Sequence, residues 1–259
     1  MKRLLAGLAV LLSLPLVFTG CTQVNPGPTM SKNSDFTGFS KIDVNSAFEV
    51  EIVPSNTWSI SVTAQEKLFD HINVSKNGDT LEINLKWGVG TWLSTWGYKR
   101  PKASIAMPEL SSLNLSGASR GNVKGFHSSN NTKITISGAS TLDTDIEAAD
   151  INLGVSGASK ISGSVKATTL TGVIDGASRA NLTGSADKLI LNASGASSVD
   201  LEGLPAQDIE VNLSGASRAT VSPVAKVKIS VSGASSLTYT GDPSLESVDV
   251  SGASTIHKK

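Results

Sequence analysis

LNASGASSVDLEG, residues 191–203, has at its centre four residues, Ser194-Gly195-Ala196-Ser197, that return along the chain. The glycines of the Gly-Ala-Ser copies are Gly117, Gly138, Gly157, Gly176, Gly195, Gly215, Gly233 and Gly252. Successive gaps of 21, 19, 19, 19, 20, 18 and 19 residues set a period near nineteen, which marks a solenoid. With each glycine as zero, position −4 reads Leu113, Ile134, Leu153, Gly172, Leu191, Val211, Ile229 and Val248. Position −2 reads Leu115, Ile136, Val155, Ile174, Ala193, Leu213, Val231 and Val250. A weaker apolar pair of columns follows at +4 and +6. Each copy is thus a strand, a bend at Gly-Ala-Ser and a second strand, with segments such as GSVKATT and EGLPAQD turning the chain back.

A nineteen-residue unit with two short strands cannot bury its own apolar face, but a stack of such units can. Equal strands at equal intervals, without Asn-Gly hairpins between them, are joined as coils of a parallel β-helix, and right-handed winding is the favoured hand. The expected fold is therefore all-β, a right-handed parallel β-helix of about eight coils. At about 4.8 Å per strand it makes a rod of roughly 35 to 40 Å. Glycine serves the repeated corner because it accepts unusual φ and close backbone approach; serine offers a hydroxyl to its neighbours. Asp175 replaces the first serine in one copy, and Arg179 is placed to neutralise it.

The composition agrees with thin layers. Six Phe, two Tyr and four Trp in 259 residues are too few for one large globular core, and 22 basic against 22 acidic residues exclude a nucleic-acid surface. Residues 1–20 have a basic start (Lys2, Arg3) and an apolar run to Phe18, the layout of a secretory signal. Cys21 is the only cysteine, so no internal disulfide forms. Its place after Phe18-Thr19-Gly20 resembles the lipobox of bacterial lipoproteins, which implies cleavage before Cys21 and acyl chains on it. Each buried methylene then contributes about 0.8 kcal/mol to membrane anchoring. Residues 21–35 read as anchor and flexible tether, 36–108 as a β-rich lead-in, and 109–259 as the repeats. Within the lead-in, Asn77-Gly78 signals a hairpin and AQEKLFDHI (residues 64–72) a short helical turn.

The lead-in FSKIDVNSAFEVEI (residues 39–52), the strand GDTLEI (78–83) and MPELSSLNLSGAS (107–119) running into serial SGAS units resemble the autotransporter adhesin, head GIN domain family. The resemblance implies a secreted or lipid-anchored β-helical protein with an adhesive role. It carries no catalytic residues to this chain.

The residues themselves favour no catalysis: His71, His127 and His257 are far apart in sequence, and no zinc, P-loop or calcium-nonapeptide motif is present. No cofactor or metal is expected. Asp143, Asp175 and Asp200 lie near corners of separate coils, so a polysaccharide-modifying enzyme of the β-helix type stays an alternative, as does a purely structural scaffold. Two features offer binding. Position +3 reads Arg120, Thr141, Lys160, Arg179, Ser198, Arg218, Ser236 and Thr255, an outward stripe that either meets anionic glycans or lipid head groups or simply keeps the rod soluble. Trp87, Trp92, Trp96 and Tyr98 crowd into residues 86–101, where they either stack on sugars or a membrane interface or fold back over the first coil. The last coil ends on an open strand edge, which admits end-to-end association unless Lys258 and Lys259 blunt it. The expected protein is a lipid-anchored envelope protein, at the outer membrane of a two-membrane bacterium, presenting a non-enzymatic adhesive surface for glycans.

Overall fold

Every repeat pairs with the next in parallel and one period on, so the apolar columns stack into a continuous core. The computed structural model describes residues 27–86 and 99–259. Its strands are β1 (Thr29–Ser34), β2 (Lys41–Val44), β3 (Glu49–Pro54), β4 (Ser59–Gln65), β5 (Ile72–Asn77), β6 (Thr80–Leu85), β7 (Lys102–Met107), β8 (Ser112–Leu115) and β9 (Arg120–His127). The repeats continue as β10 (Thr132–Ile136), β11 (Thr141–Val155), β12 (Lys160–Ile174), β13 (Arg179–Ala193), β14 (Ser198–Leu213), β15 (Arg218–Val231), β16 (Ser236–Tyr239), β17 (Ser244–Val250) and β18 (Thr255–Lys258). Between β12 and β13 the register runs from Lys160↔Arg179 to Ile174↔Ala193, and β11, β14 and β15 continue the same ladder. The result is a parallel β-solenoid of about eight turns.

Columns −4 and −2 are buried from Leu113 and Leu115 through Ile229 and Val231. Gly172 is the exception in type but not in packing: Leu191 Cδ1 lies 3.5 Å from where a Cβ would stand and fills the gap. The segments expected to turn the chain back stay extended instead. They send Val165 and Ala167, or Leu204 and Ala206, into the core, and the coil turns where two outward residues follow each other, as at Thr168-Thr169. Alternation with period two simply slips by one residue there, so no separate loop is needed.

The corner explains why the same four residues recur. At Gly215, φ is 73°, and the Ala216 amide donates to the Gly195 carbonyl of the coil beneath at 2.7 Å. Ser217 is 1% exposed; its hydroxyl donates to Ser214 O at 2.7 Å and accepts from Ser197 Oγ at 3.2 Å. Ser217 thus satisfies buried polar groups that a methyl would leave unpaired. Asp175 does not pair with Arg179: its carboxylate accepts from Ser194 Oγ, the same column one coil on.

The lead-in is itself wound into the solenoid. β2 and β3 form a coil whose corner is Asn45-Ser46-Ala47-Phe48, with Lys41↔Ser112 and Glu49↔Arg120 joining it to the first SGAS coil. On its other side, β6 and β7 form a further parallel layer through Lys41↔Thr80 and Glu49↔Lys102. β5 pairs antiparallel with β6 and β4 antiparallel with β7, with the 3-10 turn Glu66–Asp70 between them. β1 adds to β4 antiparallel, from Thr29↔Gln65 to Ser34↔Ile60. Residues 29–34 are therefore a strand and not flexible tether. Backbone pairing along β4 holds them although nearly every side chain is exposed, which is why polar sequence concealed the strand. This end is closed by Phe39, Phe48 and Leu68, with Trp58 Nε1 donating to Phe39 O at 2.9 Å.

At the opposite end, Leu245, Val248 and Val250 are 45–50% exposed, although their counterparts one coil earlier are buried. Lys258 and Lys259 reach back to Asp242 and Glu202.

Candidate functional site

Outward residues after each corner form a flat face built from β7, β3, β9, β11, β12, β13, β14, β15, β16 and β18. Strand pairing aligns the +3 stripe as a single row: Arg120↔Thr141↔Lys160↔Arg179↔Ser198↔Arg218↔Ser236↔Thr255. Arg120, Lys160, Arg179 and Arg218 are exposed. Five strand steps separate the first from the last, or about 24 Å, and Lys160 and Arg179 are direct neighbours.

Many cations elsewhere on the rod are tied down, although Lys133 and Lys188 also lack an ion pair among the described residues. Lys41 meets Asp79 at 3.0 Å, Lys166 meets Glu147 at 2.8 Å, and Glu246 takes Lys226 at 3.1 Å and Lys228 at 3.5 Å. The pairing is strong enough to hold carboxyls below their ordinary range: Glu147 through hydrogen bonds from Lys166 and then His127, Glu246 through one from Lys226. Arg120, Lys160, Arg179 and Arg218 form no ion pair among the described residues. The row therefore lines up four cations without a carboxylate at ion-pair distance among the described residues, although Glu49 stands in register with Arg120.

At its first cation the row opens into a groove of about 440 Å³ lined by Glu49, Glu51, Lys102, Arg120, Asn122 and Asp143. Glu49 is occupied by Lys102 at 3.0 Å, and Asp143 lies 3.9 Å from Lys124. Arg100, which sequence reading passed over, belongs here too. Its guanidinium donates to Ala118 O at 2.7 Å, and partial burial followed by the nearby Arg120 charge lowers its pKa. The run Lys99-Arg100-Pro101-Lys102 beside the Trp-rich segment was the available signal.

Trp87, Trp92, Trp96 and Tyr98 lie outside the described residues, as does Cys21. Their flanks are placed: the Lys86 amide donates to His71 O and the Lys99 amide to Gln65 Oε1, both at 2.7 Å, at the corner edge of the β6–β7 layer. The corner glycines Gly117, Gly138, Gly157, Gly176, Gly195, Gly215, Gly233 and Gly252 all have positive φ, as a shared corner requires.

The three candidate aspartates are not brought together. Asp143 and Asp200 share the +5 column three strand steps apart, about 14 Å, and Asp175 lies on the other side of the corner. Among the described residues no group of three His, Cys, Asp or Glu could hold a metal, and no helix is long and apolar enough to cross a membrane.

A parallel β-solenoid with a serial Gly-Ala-Ser corner and a closed antiparallel end defines a class of β-solenoid repeat protein. The chain belongs to the family described as "Putative auto-transporter adhesin, head GIN domain", which matches residues 38–243 and so takes in both the lead-in and the repeats. Solved structures share the architecture. A "putative lipid binding protein" from Parabacteroides distasonis superposes with a TM-score of 0.82 at 19% identity, covering 90% of this chain and 97% of that one. A "putative adhesin" from Parabacteroides merdae gives 0.82 at 18% with the same coverage. Another from Bacteroides fragilis gives 0.68 at 19%, again over 90% and 97%. At such identities the likeness is one of fold. No curated protein matches.

Proposed function

We propose that the protein is a lipid-anchored adhesive module of the cell envelope that holds anionic glycans on the face after its corners, without transforming them. The observation that carries this reading is the row Arg120, Lys160, Arg179 and Arg218, aligned by strand register and without ion-pair partners among the described residues. A linear polyanion laid along the rod would meet these charges in turn, with Thr141 and Ser198 as hydrogen-bonding neighbours between them. Family membership among adhesin heads supports a surface role, and Cys21 supplies the anchor in this reading. The Trp-rich segment, whose flanks Lys86 and Lys99 lie on the β6–β7 layer, would add stacking on sugar rings.

The test is retention of the soluble mature chain, carrying Cys21→Ser, on immobilised sulfated or uronate-bearing glycans. Binding should weaken steeply with salt. Lys160→Gln with Arg179→Gln should reduce it by about tenfold or more, as loss of two exposed charge contacts does. Equal retention on neutral glycans, or indifference to the double variant, would refute the reading. Trp92→Ala with Trp96→Ala separates the aromatic contribution. Release of new sugar ends on incubation would favour the enzymatic alternative instead. Palmitate labelling that survives Cys21→Ser would refute the anchor.

A further inference from the structure

The Ser46-Ala47 corner of the lead-in and the eight Gly-Ala-Ser corners stack in one column but do not share one hydrogen-bond direction. In the first three corners both central residues are left-handed: Ser46 and Ala47 at φ 74° and 62°, Gly117 and Ala118 at 67° and 63°, Gly138 and Ala139 at 61° and 67°. From Gly157 onward only the glycine is, at 75° there. These are the two mirror-type turns of tight β corners, and they differ by a flip of the central peptide.

The flip reverses the ladder. Ala47 donates to Gly117 O at 2.7 Å and Ala118 to Gly138 O at 2.9 Å, each towards the C-terminal neighbour. Ala177 donates to Gly157 O at 2.8 Å, Ala196 to Gly176 O at 2.8 Å and Ala216 to Gly195 O at 2.7 Å, each towards the N-terminal one. In a trans peptide the N–H points opposite to its own carbonyl. Gly138 O faces back to Ala118, so the Ala139 amide faces forward. Gly157 O faces forward to Ala177, so the Ala158 amide faces back. Two N–H groups from adjacent coils therefore converge, and no backbone bond joins their corners. Glycine contacts agree: a Cβ on Gly157 would stand 3.3 Å from Gly138 N and 4.0 Å from Ala139 N, whereas one on Gly176 would stand 2.5 Å from Gly157 O.

The cause lies in the head. The corner Asn45-Ser46-Ala47-Phe48 has serine where the others have glycine, and a side chain there is admitted only by the turn with two left-handed residues. Hydrogen bonding imposes that form on the next two coils. Further on, Gly-Ala relaxes to the form that spares alanine a positive φ, and the two runs meet between Gly138 and Gly157.

We propose that this junction is an oxyanion seat, in which the amides of Ala139 and Ala158 and the ammonium of Lys160 hold one carboxylate or sulfate. Gly138, Ala139, Gly157 and Ala158 are exposed, and Lys160, two residues after Ala158, is exposed and without an ion-pair partner among the described residues. Converging amides make an anion-binding concavity, and bonds from N–H to a charged acceptor are stronger than those to water. The inference shares Lys160 with the proposed glycan face. It rests otherwise on the backbone.

The experiment is amide NMR of the mature chain carrying Cys21→Ser, titrated with sodium sulfate and separately with methyl glucuronate, ionic strength held with chloride. Ala139 and Ala158 amide protons should move downfield on one saturating curve while Ala177, Ala196 and Ala216, already bonded, stay. Lys160→Gln should weaken the curve about fivefold, as loss of one exposed charge contact does. Saturation by sulfate alone assigns the seat to a free ion; tighter binding of glucuronate assigns it to a sugar acid. Shifts at Ala139 and Ala158 no larger than at the bonded corners, or exchange protection of both amides in ion-free buffer, would overturn the proposal. Glycan retention can fail while these amides still saturate, so the two readings fall separately.

Discussion

Gly195→Ala and Gly138→Ala should differ sharply in cost although both replace a corner glycine. At Gly195, φ is 73°, and a Cβ would lie 2.6 Å from Gly176 O and 3.0 Å from Gly176 N. The left-handed conformation costs alanine about 1–2 kcal/mol. Parting the coils to clear the carbonyl weakens the Ala196-to-Gly176 bond, about 1 kcal/mol. Overpacking adds about 1–3 kcal/mol. The sum is about 3–6 kcal/mol. At Gly138 the corner already holds Ala139 at φ 67°, and the nearest atom to a Cβ is Gly117 N at 3.1 Å, with the next at 3.7 Å. That change should cost about 1–2 kcal/mol, chiefly conformational. Urea unfolding, followed by fluorescence and circular dichroism together, reads the difference. With a slope of about 3 kcal/mol per M, Gly195→Ala should unfold at least about 0.3 M earlier than Gly138→Ala. Equal midpoints, or the reverse order, would falsify the account of a corner column with two hydrogen-bond directions.

Ser217→Ala should destabilise by about 1 kcal/mol, whereas Ser178→Ala should be nearly neutral because the buried Ser178 Oγ has no hydrogen-bond partner; paired thermal melts decide. Val211→Ala, in a fully buried column, should cost about 2–4 kcal/mol in the same assay. Glu147 has its folded-state pKa lowered, so its contribution is present above the unfolded value and fades as pH falls through the folded one. Glu147→Gln should therefore lower the melting temperature slightly at about pH 7 and leave it unchanged at about pH 2.5. Light scattering tests the end-to-end association expected from sequence: it should vanish in Val248→Lys, and a monomer at all concentrations would refute it.

The repeats were legible because burial writes itself into every nineteenth residue: columns −4 and −2 named the core residues from Leu113 to Val231, and only Val248 and Val250 of the last coil are exposed. The coil at residues 41–54 obeys the same rule around Ser46, with Ile42 and Val44 before it and Val50 and Ile52 after it, all buried. It stayed hidden because glycine marks the repeat in the sequence, and this corner has none. β1 left no apolar trace, since an edge strand paired through its backbone needs none. The row of cations could be read from spacing, but its lack of counter-ions could not. Partners such as Glu147 for Lys166 come from coils whose alignment only the register reveals. The junction between the corners of Gly138 and Gly157 has no signature at all, because identical residues stand on both sides of it.

Coil order in space departs from chain order at the head: the layer of β2 and β3 lies between the β6–β7 layer and the first SGAS coil. Ser40 meets Ser111 across 71 residues, while Lys166 meets Glu147 across 19. A chain emerging from its N-terminus cannot complete that layer until residues beyond 111 have followed, and its loop closure carries the larger entropic cost. Each later coil needs only its predecessor. The head is therefore expected to be the slow, committing step of assembly and the repeats its rapid extension, in which case coils could be gained or lost from the array without renegotiating how the protein begins to fold.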